Sequence, residues 1–159
     1  MATVHLIHGF LGAGKTTFAR RLEASLPALR FTHDEWVTRL YGADPSADLF
    51  PEYHRRVSEQ IESLWPRCAE LSIDVILDVN FWSRRERDDT RARAAAVGAN
   101  SRLYRLGCSD DEAWRRIEKR NHDLRGALFI ARETFELLKD RFEPLDADEA
   151  RIEVANSLG

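Results

Sequence analysis

The sequence predicts one α/β domain in which a five-stranded parallel sheet carries helices on both faces. Strand-like segments alternate with helical patterns throughout the 159 residues. The connections between these segments are long enough for parallel crossovers, whereas hairpins need only a few residues. The third strand candidate is a largely apolar run, as a central strand buried on both faces requires. These observations predict a single domain covering residues 1–159.

Each strand candidate except the last leads into a helical pattern. The first is followed by a helix predicted over Thr17–Leu26, and the fourth by a helix predicted over Asp110–Arg120. Because parallel strands end at the same edge of a sheet, a ligand site is expected there. The five strand candidates are Thr3–His8, Leu29–His33, Ile73–Val79, Arg102–Leu106 and Ala150–Ala155.

Three helices that follow strands begin with a capping-box pattern, in which a Ser or Thr precedes a Glu by three residues. Each pattern marks a helix that starts just beyond the carboxyl end of a strand, on the predicted ligand edge. The three pairs are Thr32 with Glu35, Ser83 with Glu86, and Ser109 with Glu112.

Two segments interrupt the helical patterns. Gly42–Asp48 is rich in turn-forming residues and is predicted to be a loop. Asn121–Gly126 separates two helical patterns, so we interpret residues 121–131 as a short lid. The alternative for both segments is an ordinary surface loop.

Residues 9–16 match the phosphate-binding pattern G-x-x-x-x-G-K-[ST], and they lie between a predicted strand and a predicted helix. In this context the backbone N–H groups and the helix N-terminus attract phosphate. Lys15 is expected to reach the outer phosphates, and the Thr16 hydroxyl to hold Mg²⁺. The predicted nucleotide-binding residues of this loop are Gly9, Gly12, Ala13, Gly14, Lys15, Thr16 and Thr17.

Two aspartates follow strands on the ligand edge. Asp34 follows the second strand, where a carboxylate could orient an acceptor hydroxyl and take its proton. Its position is equally compatible with stabilising the N-terminus of the following helix. Asp78 ends the third strand, as an acidic Mg²⁺ ligand does in many nucleotide-binding proteins, and we favour this metal role over that of a polar strand cap.

Arginines are concentrated around the predicted lid. Helical geometry turns Arg120 towards the sheet edge and Arg115 towards solvent. Arg120 and Arg132 are therefore the preferred candidates for stabilising a migrating phosphoryl group, and Arg116 is a further candidate for nucleotide binding. The positive charge of Arg84 is unfavourable at the N-terminus of its helix, where the helix dipole is also positive. This unfavourable placement suggests that Arg84 binds substrate.

Several aromatic residues lie on the same edge. Trp36, Phe81 and Trp82 are candidates for the acceptor-binding surface, because each follows a strand end closely. Core packing is the alternative for these aromatic side chains.

Composition excludes several classes of protein. The net charge is −3 and the pI is near 6.0, so no overall basic character indicates nucleic-acid binding. Cys68 and Cys108 have neither metal-ligand nor disulfide-framework spacing and are expected to be reduced thiols. No apolar run approaches the roughly 20 residues that span a bilayer, and the N-terminus has no secretory pattern. A cytoplasmic location is expected.

The chain resembles the P-loop small-molecule kinases of the zeta-toxin and chloramphenicol-phosphotransferase kind. The closer resemblance is to the predicted ATP-dependent kinases with AAA-type domains. The resemblance rests on residues 9–17, on Asp34-Glu35-Trp36 with Leu40-Tyr41-Gly42, on residues 77–84 and on residues 132–136. It implies a three-layer P-loop kinase fold with a lid, and ATP and Mg²⁺ as cofactors. It also implies that Asp34 is the general base and that Arg120, with Arg125 or Arg132, contacts the phosphates.

The leading hypothesis is an enzyme that transfers the γ-phosphoryl group of ATP to a hydroxyl of a small molecule. A polynucleotide 5′-hydroxyl kinase is an alternative that the motifs serve equally well, although the net charge argues weakly against it. A non-catalytic nucleotide switch is a third hypothesis. No N-K-x-D pattern for guanine recognition is present, which disfavours a GTPase. The sequence does not identify the acceptor or the oligomeric state.

Overall fold

The computed structural model describes residues 1–155 and contains one five-stranded sheet in the order β2-β3-β1-β4-β5, with parallel pairing throughout. The predicted α/β class is confirmed. The strands are β1 Thr3–His8, β2 Ala28–Thr32, β3 Asp74–Asp78, β4 Asn100–Arg105 and β5 Ile152–Glu153. The helices are α1 Lys15–Ser25, α2 His33–Tyr41, α3 Phe50–Glu70, α4 Arg84–Ala96, α5 Asp110–Asn121 and α6 Arg132–Lys139.

The central strands form the core because both of their faces are apolar. On one face, Leu6 and Val75 pack with Trp65 of α3 and Ala94 of α4. On the other face, Ile7 and Ile76 pack against Ala19 of α1 and the partly buried Phe18. Helices therefore cover both faces of the sheet, as a mostly parallel sheet requires.

The observed bounds of β5 and α1 differ from the predicted bounds. β1 has the predicted bounds, but β5 is two residues long rather than six and pairs with Tyr104 and Arg105. Both residues of β5 are exposed on the sheet edge, so side-chain burial does not favour a longer strand. α1 begins two residues earlier than predicted, because Gly14 in the left-handed region ends the loop and serves as its N-cap.

Two of the three capping patterns form caps. Ser83 makes a complete capping box with Glu86, and the Ser109 hydroxyl accepts a hydrogen bond from the Glu112 amide. The predicted box at Thr32 is wrong, because the Thr32 hydroxyl instead donates to Asp78 Oδ2 at 3.2 Å. Its expected partner Glu35 accepts hydrogen bonds from Arg20 and Arg30.

A buried ion pair joins α4 to the segment before β5. Arg87 and Glu149 have fully buried side chains, with Arg87 Nη2 2.7 Å from Glu149 Oε1. Arg87 also donates to the carbonyl oxygens of Phe81, Trp82 and Glu143, and so fixes the loop that follows β3. Across the described part of the chain, no helix is long and apolar enough to cross a bilayer.

We expect His8 to make the fold sensitive to acid. Its buried Nδ1 lies 2.9 Å from the Phe81 carbonyl oxygen, and burial lowers the pKa of His8 from 6.5 to about 4. Between these two values the unfolded chain binds the proton and the folded chain does not, so stability falls as the pH falls. We expect the wild type to lose roughly 2 kcal/mol between pH 7 and pH 5 from this group.

His8→Gln, whose amide can donate to the same carbonyl, is the variant that checks this effect. Urea denaturation at pH 7 and pH 5 should show a smaller pH-dependent loss for the variant than for the wild type. Equal losses in the two proteins would show that His8 does not carry the acid sensitivity.

Candidate functional site

The glycine-rich loop at residues 9–14 connects β1 to α1 and requires glycine at three points. Gly12 and Gly14 have φ values of 76° and 93°, in the left-handed region. A Cβ at Gly12 would lie 2.5 Å from the Ala113 carbonyl oxygen, and one at Gly9 would lie 2.7 Å from the Leu106 carbonyl oxygen. The loop can therefore curl closely against α5 and the end of β4 only without side chains at these positions.

The N-terminus of α1 opens onto this loop. The first-turn amides of a helix have no intrahelical acceptors, and the Gly14 cap has no side chain that could satisfy them. Thr16 and Thr17 lie in that first turn, while Ala13 is buried and its amide bonds to the Phe10 carbonyl oxygen. The loop and helix together form a concave set of donors suited to phosphate oxygens.

Lys15 lies at the centre of the site. Its buried ammonium donates to the Phe10 carbonyl oxygen at 2.9 Å and interacts electrostatically with the carboxylates of Asp78 and Asp34. Burial lowers the pKa of Lys15, and these two carboxylates oppose that shift. The ammonium thus contacts the glycine-rich loop and interacts with both the predicted metal ligand Asp78 and the predicted base Asp34.

Thr16 and Asp78 form the candidate metal site. Thr16 Oγ1 donates to Asp78 Oδ2 at 2.7 Å, and the Asp78 carboxylate is almost completely buried. Burial raises the pKa of Asp78, while Lys15 and the Thr16 hydroxyl act against this rise. Hydroxyl and carboxylate oxygens are suitable Mg²⁺ ligands. Because residues 1–155 contain no cluster of three His, Cys, Asp or Glu ligands, an ion here would need phosphate and water oxygens as its remaining ligands.

Asp34 lies in the first turn of α2, close to Lys15 and Arg120. Its side chain is 42% exposed, so the carboxylate remains accessible, and its Oδ1 is 3.7 Å from His33 Nδ1. Partial burial raises the pKa of Asp34, but His33, Lys15 and Arg120 outweigh that effect and hold the pKa below its usual value. Asp34 is therefore ionised at neutral pH and able to accept a proton.

Two arginines of α5 approach this region. Arg120 interacts with the Asp34 carboxylate, and its buried Nε has no hydrogen-bond partner among the described residues. Arg116 donates to the Gly12 carbonyl oxygen at 3.3 Å and to Glu112. A buried guanidinium nitrogen without an acceptor is costly unless a ligand supplies one, which suits Arg120 to an anion.

Comparison with known proteins defines the family. The model of the AAA domain family matches residues 4–145, which is most of the chain. The chain belongs to this AAA domain family. A comparison with curated protein sequences gives no match.

Solved structures show the fold that this AAA domain shares. A protein from Chloroflexus aurantiacus J-10-fl with a proposed kinase activity superimposes with a TM-score of 0.78 at 15% identity, over 96% of this chain and 87% of that one. A sugar kinase from Janibacter sp. HTCC2649 gives 0.66 at 17% identity, over 97% and 85%. The fold is that of the P-loop kinases, as the resemblance implied.

A third similar structure is a larger protein. A chain of the Pnkp1/Rnl/Hen1 RNA repair complex gives a TM-score of 0.70 at 21% identity, over 89% of the AAA domain. The AAA domain spans only 46% of that chain. At these identities the likenesses establish the fold and leave the reaction open.

Arg84, predicted to bind substrate, has acidic partners within the AAA domain, and its substrate role stays a prediction. Its guanidinium forms ion pairs with Asp88, Asp146 and Asp148. These contacts attach the start of α4 to the segment before β5. The charge that opposes the helix dipole is explained by this acidic segment, which is distant in the sequence.

The predicted aromatic residues separate into three environments. Trp36 packs near Phe31 at the margin of the core. Trp82 donates from Nε1 to the Gly9 carbonyl oxygen at 3.3 Å and supports the glycine-rich loop. Phe81 is buried and contributes to a cavity beside His33, which is compatible with its predicted place in an acceptor pocket.

The predicted lid lies between α5 and α6. Asn121 closes its base through two hydrogen bonds with the Ile130 backbone, and the Phe129 amide donates to the Ala43 carbonyl oxygen. The segment thus contacts the loop between α2 and α3. Arg132 begins α6, where it pairs with Glu136 and lies 4.8 Å from the centre of the Trp114 ring. No described contact links Arg132 with Lys15 or Asp34, and its phosphate role stays a prediction.

A cavity of about 550 Å³ extends from His33 between α3 and α4. Sequence reasoning did not assign His33 to the site. The residue is 3% exposed, and its Nε2 lies 3.1 Å from both the Ser58 hydroxyl and the His54 carbonyl oxygen. Its position directly before Asp34 was the available signal. Its contacts with α3, however, join residues more than twenty positions apart, which no local pattern reveals.

Proposed function

We propose that the chain is a Mg²⁺- and ATP-dependent phosphotransferase that moves the γ-phosphoryl group to a hydroxyl of a small molecule. The observation that carries this proposal is the convergence of Lys15, Asp34 and Asp78 beside the glycine-rich loop. Lys15 is suited to binding phosphate. It interacts with Asp78, which is suited to binding a metal ion, and with the accessible Asp34, which is suited to binding an acceptor. The P-loop kinase fold supports the same assignment.

In the proposed reaction, the acceptor oxygen forms a bond to the γ-phosphorus while the bond between that phosphorus and the oxygen of ADP breaks. Asp34 orients the acceptor hydroxyl and receives its proton, and Lys15 and the loop amides hold the phosphate oxygens. Arg120, whose Nε has no acceptor within residues 1–155, stabilises the transferring group. Mg²⁺, held by Thr16 and Asp78, would neutralise the charge of the phosphates.

The segment at residues 121–131 is the proposed lid. Its contact with Ala43, in the loop that precedes α3, supports this assignment. A lid in this position would exclude water from the transferring phosphoryl group and limit ATP hydrolysis.

A polynucleotide 5′-hydroxyl kinase is the second candidate, supported by the likeness to the chain of the RNA repair complex. ATP labelled in its γ-phosphoryl group separates the two. We expect label to enter small hydroxylated compounds, with release of an equal amount of ADP. Label entering only a 5′-hydroxyl oligonucleotide, with binding that weakens steeply with salt, would favour the alternative.

A further inference from the structure

His33 has one ring nitrogen that is hydrogen-bonded and one that is not. Nε2 lies 3.1 Å from both the His54 carbonyl oxygen and the Ser58 hydroxyl. A carbonyl oxygen can only accept a hydrogen bond, so Nε2 carries the hydrogen of the neutral ring. Nδ1 is then an acceptor, and it is buried without a hydrogen-bond partner among the described residues. The contacts with α3 therefore determine which ring nitrogen is free to bind a further proton.

The free nitrogen is turned towards the proposed base. His33 Nδ1 lies 3.7 Å from Asp34 Oδ1, beyond the usual N–H···O length of about 2.7–3.2 Å. A bare nitrogen and an ionised carboxylate are both acceptors, so no hydrogen bond can join them. One proton on either atom would supply the missing donor and draw the two atoms together. We call these residues the His33–Asp34 pair.

Asp34 by itself is a weak base. Burial raises its pKa, but His33, Lys15 and Arg120 outweigh that effect and hold the pKa below its usual value. The lowering by His33 belongs to its protonated form, because only that form can donate from Nδ1 to the carboxylate. The neutral ring instead accepts a hydrogen bond, and an imidazole nitrogen ordinarily holds a proton more strongly than a carboxylate oxygen does. A neutral His33 would therefore help Asp34 to retain the proton of the acceptor.

Other charged groups surround the pair, but most have partners of their own. His54 lies with its ring centre 4.2 Å from that of His33, and burial and then His33 lower its pKa. Within residues 1–155, no carboxylate other than that of Asp34 forms an ion pair with His33. Asp34 also interacts with Lys15, Arg120 and Asp78. The remaining charged residues of the cavity beside His33 are Glu62 and Arg93, which pair together, Glu86, which caps α4, and Asp89, which pairs with Arg85.

We propose that His33 is a positioning residue that acts through Asp34, with Nδ1 accepting a hydrogen bond from the protonated carboxyl group and then taking the proton that the acceptor hydroxyl has lost. This inference rests on the proposed kinase function and adds a residue to its mechanism. The acceptor oxygen bonds to the γ-phosphorus as its proton passes to Asp34. The proton then moves to Nδ1, which leaves an imidazolium beside the restored carboxylate. After the products leave, the proton returns to solvent through Asp34, the exposed member of the pair.

His33→Gln tests the role of Nδ1. The Gln amide can donate to the His54 carbonyl oxygen as Nε2 does, but the side chain cannot bind a proton at neutral pH. Release of ADP from Mg-ATP is measured from pH 6 to pH 8, with water and with glycerol as acceptors. We expect kcat at pH 8 to fall about tenfold, while the KM for ATP changes less than about twofold.

The pH profile separates this role from a structural one. In the wild type, acid protonates His33 before turnover, and the pair can then no longer take the proton of the acceptor. We expect kcat to fall between pH 8 and pH 6 in the wild type and to fall less in His33→Gln, because Asp34 stays ionised over this range. A variant that has lost only packing would keep the shape of the wild-type profile.

His54→Gln is the matched control. It removes the neighbouring imidazole but keeps the backbone carbonyl oxygen that orients His33. His54 forms no ion pair with Asp34 in the part of the chain that the structure describes. Its kcat should stay within about twofold of the wild-type value, with the same pH profile.

A measurement on the wild type tests the geometry without turnover. NMR correlation of the ring nitrogen and hydrogen nuclei distinguishes the two neutral tautomers, and contacts with the His54 ring identify the signals of His33. We expect a hydrogen on Nε2 and a bare Nδ1 at pH 8. A neutral ring with its hydrogen on Nδ1 would overturn the proposal.

The kinetic outcomes separate this inference from the proposed function. An unchanged kcat in His33→Gln, or a lower kcat with the wild-type pH profile, would overturn the role of His33 and leave the kinase function standing. If the wild type released no ADP with Mg-ATP bound, the result would count against the proposed function and therefore against both proposals.

Discussion

Asp34→Asn is expected to lower kcat at least about a hundredfold while Mg-ATP still binds. A positioned general base contributes about 10²–10⁴ in rate, and Asn has no comparable affinity for the proton of the acceptor hydroxyl. Asp34 is accessible and ionised, and its carboxylate interacts electrostatically with Lys15. Steady-state transfer rates and calorimetric titration with Mg-ATP would measure the two effects separately.

Glu35→Gln is the matched control for this prediction. It removes a carboxylate from the same first turn of α2, but Glu35 faces Arg20 and Arg30 rather than Lys15. If Asp34 acts only by stabilising the helix N-terminus, the two variants should behave alike and both should remain active. If Asp34 is the base, only Asp34→Asn should lose turnover. A fully active Asp34→Asn protein would contradict the proposed mechanism without affecting the nucleotide site.

Arg87→Met is expected to lower the free energy of unfolding by about 3–5 kcal/mol. The substitution leaves the Glu149 carboxylate buried without its main partner. Burial alone would raise the pKa of Glu149, but hydrogen bonds from Arg87, the Asp146 amide and Arg91 bring it to about 2. The variant also loses the hydrogen bonds that hold the carbonyl oxygens of Phe81 and Trp82. Urea denaturation at pH 7 measures the loss.

Two further variants show whether the buried pair is responsible. Arg85→Met removes an arginine from the same helix whose side chain is 91% exposed, and its cost should stay below about 1 kcal/mol. Arg87→Met combined with Glu149→Leu should recover much of the stability lost in Arg87→Met, because no buried charge is left unpaired. A small loss in Arg87→Met, or no recovery in the double variant, would contradict this account.

Features that depend on neighbouring residues were predictable from the sequence. The strand, glycine-rich loop and helix at residues 3–25 form one local unit, and the bounds of β1 were predicted correctly. Asp78 could be placed at the ligand edge because it ends an apolar strand. These inferences require only strand periodicity, glycine conformation and the rule that parallel strands end together.

Features set by distant partners were not predictable. Arg84 and Arg87 form ion pairs with the acidic segment at residues 146–149, although this segment lies about sixty positions away in the chain. Thr32 matches a capping box locally, but the neighbouring strand β3 offers Asp78 as an alternative partner. The environment of His33 depends on α3, which packs beside α2 only in the folded chain. A local pattern cannot choose between such partners.

Calorimetric titration with Mg-ATP tests the central claim most directly, because every proposed step requires triphosphate in the glycine-rich loop. We expect a measurable heat of binding for the wild type and an affinity at least about tenfold weaker for Lys15→Met, which lacks the charged donor to the phosphates. If the wild type gave no heat of binding with any purine triphosphate in the presence of Mg²⁺, the account would be contradicted.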